Sequence, residues 1–289
     1  MVNKLILGTA NFGMNYGIAF GRQVPKEEVF RILDLAVEEG FYGVDTAQAY
    51  GTAEKILGEY FWKKGRSLRI VTKLPNKEYE CYEDFKMATI KSIENLRVDR
   101  IDYLLIHSFD TFKRNKNLTI ESLELLKTEG LIDNFGISVY HPYEFLEFIE
   151  ALGGYFTVEL PLNIFDQRFT SHINEWKSKG IKIIARSIFL QGLFFIEEHK
   201  LVGAFEKVKD KIKELRELSL EKGLTLPCLC LLFAIKQPVD YIVIGVDSRE
   251  QLEEIVNCTR HAPELSVDWR GMRVEDENII LPYMWTKPT

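Results

Sequence analysis

Eight short apolar runs, each followed by a longer helical or polar segment, constrain this chain more than any other feature. LILGT (5–9), YGVDT (42–46), RIVTK (69–73), IDYLLIH (101–107), FGISV (135–139), FTVEL (156–160), IKIIAR (181–186) and YIVIG (241–245) read as strands. Several are almost continuously apolar, which suits parallel strands covered on both faces. Between them lie amphipathic segments such as KEEVFRILDLAVEEG, AEKILGEYFWKK, YEDFKMATIKSIENL, ESLELLKTEG and YEFLEFIEALGG. Pro25 precedes the first and Gly40 follows it, where proline suits a helix start and glycine a cap. Strands two to five begin roughly 25–35 residues apart, which fits one βα unit each. Alternation of this kind predicts an α/β fold with a parallel sheet. No Pro- or Ser-rich linker interrupts the units, which favours closure into a (β/α)8 TIM barrel over an open sheet. The length of 289 residues fits such a barrel with insertions. The expectation is one barrel domain over 1–289, with a long aromatic-rich loop at about 187–203 and a tail from about 260. That tail carries Trp269, Pro282, Trp285 and Pro288 and would cap the barrel mouth or pack along its side.

Hydrophobic residues at 46% and charged residues at 28% are ordinary for a chain with a large core. A net charge of −6 gives no reason to expect nucleic acid or an anionic membrane as the main partner, because both need a basic surface. An anionic cofactor needs only a local basic pocket. The start, MVNKLILGTANFG, lacks the apolar core and cleavage site of a signal peptide, and no run approaches a membrane span. A soluble, cytoplasmic protein acting on a small molecule is expected. Cys81, Cys228, Cys230 and Cys258 have no histidine spaced to complete a zinc site. They are read as reduced thiols, with no bound metal.

In such a barrel the working residues stand at the carboxyl ends of the strands. Asp45, Lys73 and His107 end strands two, three and four, and Tyr50 follows in the second loop (DTAQAYG). A tyrosine of ordinary pKa is a poor acid at neutral pH, and a neighbouring ammonium favours its phenolate. Lys73 would do this, Asp45 would anchor Lys73, and His107 would polarise a carbonyl. Taken singly, an Asp–Lys pair can be a structural ion pair and a strand-ending histidine a structural hydrogen bonder. Together they make an acid for a carbonyl oxygen, and the accompanying hydride must come from a cofactor.

GVDTAQAYGTAEKILGE resembles the signature of the aldo-keto reductase family, including Glu54 after the Tyr50–Gly51 turn. VTKLP is similar to that family's lysine strand and IDYLLIH to its histidine strand, and the likeness runs from LILGTANFG to GVDSREQLEEI. It implies a barrel that binds an extended nicotinamide dinucleotide, with Asp45, Tyr50, Lys73 and His107 as the catalytic group and a carbonyl as substrate. NFGMNYGIAF and ARSIFLQGL are similar to bacterial reductases of sugar metabolism, which points to a keto-sugar or sugar-derived carbonyl.

The same resemblance implies the cofactor contacts. Thr9 and Ser138 stand where the family meets the nicotinamide end, but Val139 replaces an asparagine and Glu159 a glutamine. Arg186 replaces the aromatic residue that stacks on the nicotinamide ring; it would stack there itself or bind an anionic group. Ser187, Phe189, Gln191, Gly192 and Leu193 would line the diphosphate path. Gly245, Asp247, Ser248, Gln251 and Glu254 would surround the adenosine. Family precedent favours NADP, with NAD as the alternative. Asp247 would repel a 2′-phosphate or accept from a free ribose hydroxyl, whereas Ser248 and Arg249 would bind the phosphate at a helix start. Phe12, Met14, Tyr140, Phe189 and Phe194 are candidates to line the substrate pocket. Two competing readings are a lyase or isomerase using Lys73 as a Schiff base and a non-catalytic binding barrel.

Overall fold

The computed structural model describes residues 1–19, 21–260 and 266–285. Strands β1 (Leu5–Gly8), β2 (Gly43–Asp45), β3 (Arg69–Leu74), β4 (Ile101–Ile106), β5 (Ile132–Ser138), β6 (Thr157–Pro161), β7 (Lys182–Arg186) and β8 (Tyr241–Ile244) pair in sequence order. Each pairs parallel to the next, and β8 returns to β1, so the sheet closes. The expected (β/α)8 barrel is the observed one. Strand β5 begins three residues before the apolar run, at Ile132. The polar pair Asp133 and Asn134 hid this extension in the sequence; Asn134 is in the barrel wall and donates to the Asp102 carbonyl at 3.1 Å.

Outside the sheet lie α1 (Lys26–Glu38), α2 (Ala53–Lys64), α3 (Tyr82–Leu96), α4 (Lys116–Thr128), α5 (Pro142–Leu152), α6 (Ile173–Ser178), α7 (Lys209–Glu221), α8 (Leu226–Lys236) and α9 (Arg249–Arg260). Helix α1 shows how the sequence writes them. Val29, Ile32, Leu33 and Ala36 recur at helical spacing and are fully buried. Pro25 caps its start, and Gly40 beyond its end has φ 75°, a conformation that costs glycine little. Each fully buried Leu, Ile or Phe of this layer contributes about 1.5–3 kcal/mol before chain entropy is charged against it.

Inside the barrel, period-two alternation sets what faces the axis. Ile6, Val71, Tyr103, Leu105 and Ile184 form the inner apolar layer. One step of two residues toward the strand ends turns Val71 into Lys73, Leu105 into His107 and Ile184 into Arg186. Below that layer Tyr42 stacks on Tyr241 at 3.8 Å between centroids and meets the Tyr103 hydroxyl at 2.6 Å. The interior is therefore packed apolar and aromatic below and polar at the top.

Two segments expected to be irregular are built of short turns. Residues 187–208 wind through single helical turns, with Ser187, Leu190 and Gln191 at positive φ. In the tail Trp269 packs on Phe233, Trp285 on Phe205 and Tyr283 edge-on against Tyr140, so it both lines the side and reaches the mouth. Pro288 lies outside the described residues.

The expectation of four reduced thiols is corrected. Cys228 and Cys258 form a disulfide, while Cys81 is free and exposed and Cys230 free and buried. Packing of α9 against α8 brings the two Cα atoms to 5.6 Å, within bridging distance, a proximity that a separation of 30 residues does not announce. Among the described residues no single helix is long and apolar enough to cross a membrane. Nor does any group of His, Cys, Asp or Glu among them have the makings of a metal site.

Candidate active site

The β2–α2 loop that carries Tyr50 is seated by small residues and one buried acid. A Cβ on Gly13 would lie 1.9 Å from the Tyr50 carbonyl oxygen, so only glycine lets the two segments meet. Thr52 N donates to the Gly13 carbonyl at 3.2 Å, and Ala53 N to that of Tyr50 at 3.0 Å. Behind them Glu54 is 3% exposed. It accepts from Thr72 Oγ1 at 2.8 Å and from Asn95 Nδ2 at 3.0 Å, tying α2 to β3 and α3. The acid of the signature is thus a structural anchor for the loop.

At the strand ends, four charged side chains form one buried chain. Lys73 Nζ is in direct contact with Asp45 Oδ1, donates to the Thr46 carbonyl at 3.2 Å and lies 3.2 Å from Glu159 Oε2. Glu159 Oε1 in turn sits 3.3 Å from Arg186 Nε and accepts from Ser138 Oγ at 3.2 Å. Lys73 and Glu159 side chains are each 1% exposed and that of Arg186 is 14% exposed. Two cations and two carboxylates balance, which is what burial at this depth demands. The Lys73–Glu159 contact leaves Glu159 Oε2 paired with an ammonium and sealed from solvent.

Arg186 is committed on several sides. Its Nη1 donates to Ser187 Oγ at 3.1 Å and its Nη2 to the Val139 carbonyl at 3.0 Å. The guanidinium carbon lies 4.2 Å from the Tyr140 ring centroid. With Glu159 beside it, Arg186 is a paired cation and stacking surface, which weakens its case as a lone anion receptor. It also bridges the place where the family has an asparagine and this chain has Val139.

The electrostatics follow from burial. Tyr50 is pushed above the ordinary phenol range by burial, while Lys73 pulls it down and Asp45 and Glu159 push it up. The expected acidifying pull of Lys73 is present but outweighed, by burial first and by the two carboxylates after it. Burial alone would lower Lys73; Asp45, Glu159 and Tyr50 more than reverse this and hold it charged. Burial and then the Glu159 charge push Asp45 upward against the pull of Lys73. Burial would also raise Glu159, but Lys73 and Arg186 outweigh it and hold that carboxyl below its usual range. His107 is held down to about 4 by burial first and by Lys73 next, so the imidazole is neutral at physiological pH. Its ring meets that of Tyr50 edge-on, 5.8 Å between centroids.

These groups close one end of a cavity of about 300 Å³. Asp45, Tyr50 and His107 line that end, with Lys73 beneath. Thr9, Ser138, Glu159 and Arg186 line the cavity from other strand ends, and Ser187, Phe189, Gln191 and Gly192 from the loop after β7. Gly245, Asp247, Gln251 and Glu254 line it from the β8–α9 turn and the start of α9. Two of the expected dinucleotide contacts are absent from the wall. Leu193 is fully buried in the core, because the positive-φ turn at Gln191 and Gly192 faces those two toward the cavity and sends the next side chain inward. Ser248 instead caps α9, accepting from Gln251 N at 3.3 Å. Of the aromatic candidates, Tyr140 and Phe189 line the cavity, Phe12 and Phe194 are fully buried in the core, and Met14 is not on the wall.

Sequence reading missed Asn11, Tyr16, Gly17, Ala19, Phe195, Pro227 and Ile255 on the wall. Tyr16, Gly17 and Ala19 arrive because the β1–α1 loop folds over the cavity and joins the β7 loop through Ile18 N to the Gln191 carbonyl, 3.0 Å. The one available signal was Tyr16 within NFGMNYGIAF, a polar-tipped aromatic in a glycine-rich stretch.

Known proteins align with this picture. The model of the aldo/keto reductase family matches residues 4–267. The uncharacterized oxidoreductase YqkF of Bacillus subtilis (strain 168) is 28% identical over 256 residues, 81% of this chain and 82% of that protein. Among solved structures, the holo form of aldo-keto reductase AKR11C1 from Bacillus halodurans superposes with TM-score 0.75 at 24% identity, covering 93% of this chain and 90% of that one. The glycerol dehydrogenase AKR11B4 of Gluconobacter oxydans superposes with TM-score 0.72 at 21% identity, covering 91% and 88%. With the family model spanning nearly the whole chain and the closed parallel barrel beneath it, the chain belongs to the aldo/keto reductase family, oxidoreductases that work with a nicotinamide dinucleotide.

Proposed function

We propose that this chain reduces an aldehyde or ketone to an alcohol with NAD(P)H, Tyr50 giving its phenolic proton to the carbonyl oxygen. The observation that carries the reading is the meeting of Tyr50, His107 and an Asp45–Lys73 pair at one end of a long cavity. The residues present fit a nicotinamide dinucleotide. Glu159 and Ser138, hydrogen-bonded to each other on the cavity wall, offer oxygens that suit the amide N–H of a nicotinamide. Ser187, Phe189, Gln191 and Gly192 would flank the diphosphate, and Gly245, Asp247, Gln251 and Glu254 the adenosine. When bound, the dinucleotide supplies the hydride, which no side chain can.

The chain's own residues would do the rest. Tyr50 stays protonated at rest because it is buried, which an acid requires. Lys73, held charged between two carboxylates, stabilises negative charge on the phenol oxygen once the proton has left. Neutral His107 offers the carbonyl oxygen a hydrogen bond without competing as a cation. Tyr140 and Tyr16 give the neighbouring wall aromatic faces, compatible with a keto-sugar or sugar-derived carbonyl as substrate. A Schiff-base lyase would need an uncharged Lys73, and the two carboxylates work against that.

A spectrophotometric screen of NADH and NADPH oxidation over aldehydes and keto-sugars tests the proposal. Tyr50→Phe should lose about 100-fold or more in turnover while still binding the dinucleotide. Full turnover in that variant would remove Tyr50 from the chemistry, and failure of every carbonyl in the panel would remove the reductase reading.

A further inference from the structure

The cavity wall at the β8–α9 turn carries a charge pattern of its own. If hydride and proton are to meet at one carbonyl, the nicotinamide must lie at the Tyr50 end. The adenosine of an extended dinucleotide then lies at the other end, where Asp247, Gln251 and Glu254 form the wall with Asn11 and Pro227. Arg186 is the only Arg or Lys on the described wall, and it sits at the nicotinamide end paired with Glu159. The adenosine end thus has two carboxylates and no cation of its own.

The neighbouring cations and backbone donors are already engaged. Arg249 Nε pairs with Glu253 at 2.9 Å, and Arg31 with Glu28 at 2.8 Å and Glu250 at 3.5 Å. The first N–H of α9 is occupied as well: Arg249 N donates to Glu28 Oε1 of α1 at 2.7 Å. Gln251 N is taken by Ser248 Oγ, and Asp247 N by Gln251 Oε1 at 2.8 Å. A carboxylate therefore sits where a helix start would otherwise receive an anion. Asn11 Nδ2 holds Asp247 Oδ1 at 2.9 Å and so fixes that carboxylate at the wall.

The two nicotinamide dinucleotides differ at the ribose 2′ position, a neutral hydroxyl in one and a phosphate monoester of roughly −1.5 to −2 charge in the other. Carboxylates accept from the hydroxyl and repel the phosphate. We propose that Asp247, Glu254 and Glu28 make this chain select NAD(H) over NADP(H), against the preference that family precedent suggests. The inference rests on the cavity being a nicotinamide dinucleotide site.

Titration of the full chain with NADH and with NADPH, followed by calorimetry or quenching of its tryptophan fluorescence, tests this without turnover. NADH should bind about tenfold tighter or better, because like charges brought together weigh against the phosphorylated form. The fragments 5′-AMP and 2′,5′-ADP should rank the same way, and added salt should narrow the gap by screening the repulsion. Asp247→Asn should tighten NADPH several-fold and weaken NADH, and Glu28→Ala should tighten NADPH several-fold. NADPH binding as tightly as NADH to the unaltered chain overturns the inference and leaves the reductase reading in place. Binding of neither at millimolar concentration overturns both. The unaltered chain alone decides the matter if a variant does not fold.

Discussion

Replacing Glu159 by glutamine removes one charge from the buried chain Asp45–Lys73–Glu159–Arg186, leaving two cations to one carboxylate. Breaking a buried ion pair from one side costs about 3–5 kcal/mol. The glutamine carbonyl can still accept from Ser138 Oγ, which recovers roughly 1 kcal/mol. The expected loss is about 2–4 kcal/mol at pH 7, or a melting temperature lower by about 4–8 °C in a chain of this size. The sign with pH is definite. The folded state holds Glu159 below its ordinary range, so its stabilisation is present above about pH 4.3 and fades as pH falls through the folded value. The gap between the native chain and Glu159→Gln should therefore be widest near neutrality and shrink in acid. Asp45 runs the other way: its raised pKa gives a contribution that is full in acid and lost as pH rises, and Glu159 is one cause of that rise. Arg186→Met should also destabilise. The double variant, which restores charge balance, should lose at least about 1 kcal/mol less than the sum of the two single losses. Urea unfolding of the four proteins at pH 7 and pH 4 measures all of this. Full stability of Glu159→Gln at pH 7, or strict additivity of the double variant, would refute the reasoning.

Two further outcomes can be checked. His107, held down to about 4, should stay neutral from pH 8 to below 6, so no limb of the rate profile near pH 6.5 should vanish in His107→Asn. Its neutral burial supports folding above about pH 6.5 and ceases to do so as pH falls toward the folded value. An imidazole resonance of His107 titrating near 6.5 by NMR would show that it is not desolvated. Gly13→Ala would set a methyl 1.9 Å from the Tyr50 carbonyl oxygen and 2.3 Å from Ala53 N. It should cost about 1–3 kcal/mol and lower kcat more than it changes dinucleotide affinity; an unchanged kcat would mean that Tyr50 is positioned by something else.

The barrel was legible because its cause is local. A parallel strand covered on both faces must be apolar throughout, and the helices that cover it must be apolar on one stripe, so the alternation is visible residue by residue. The same period places Asp45, Lys73 and His107 at strand ends on the inner face, two residues beyond apolar inner positions at Val71 and Leu105. Tyr50 was legible through the DTAQAYG turn, and Glu54 through its place after that turn, though only the structure shows its hydrogen bonds to Thr72 and Asn95.

What lay outside the sequence were the meetings between segments far apart in the chain. The pairing of Glu159 with both Lys73 and Arg186 joins three strands. The Cys228–Cys258 disulfide joins two helices, and the Glu28 carboxylate reaches the start of α9 across 221 residues. The sequence by itself determined the strands, their polarity pattern and which ionisable groups reach the rim, because these depend on spacing along one segment. Only the tertiary structure decided which charges neutralise one another, which way Tyr50 is tuned and what sign the cavity wall around Asp247 and Glu254 carries. Those depend on distance through space and on burial, and neither is written in the order of residues.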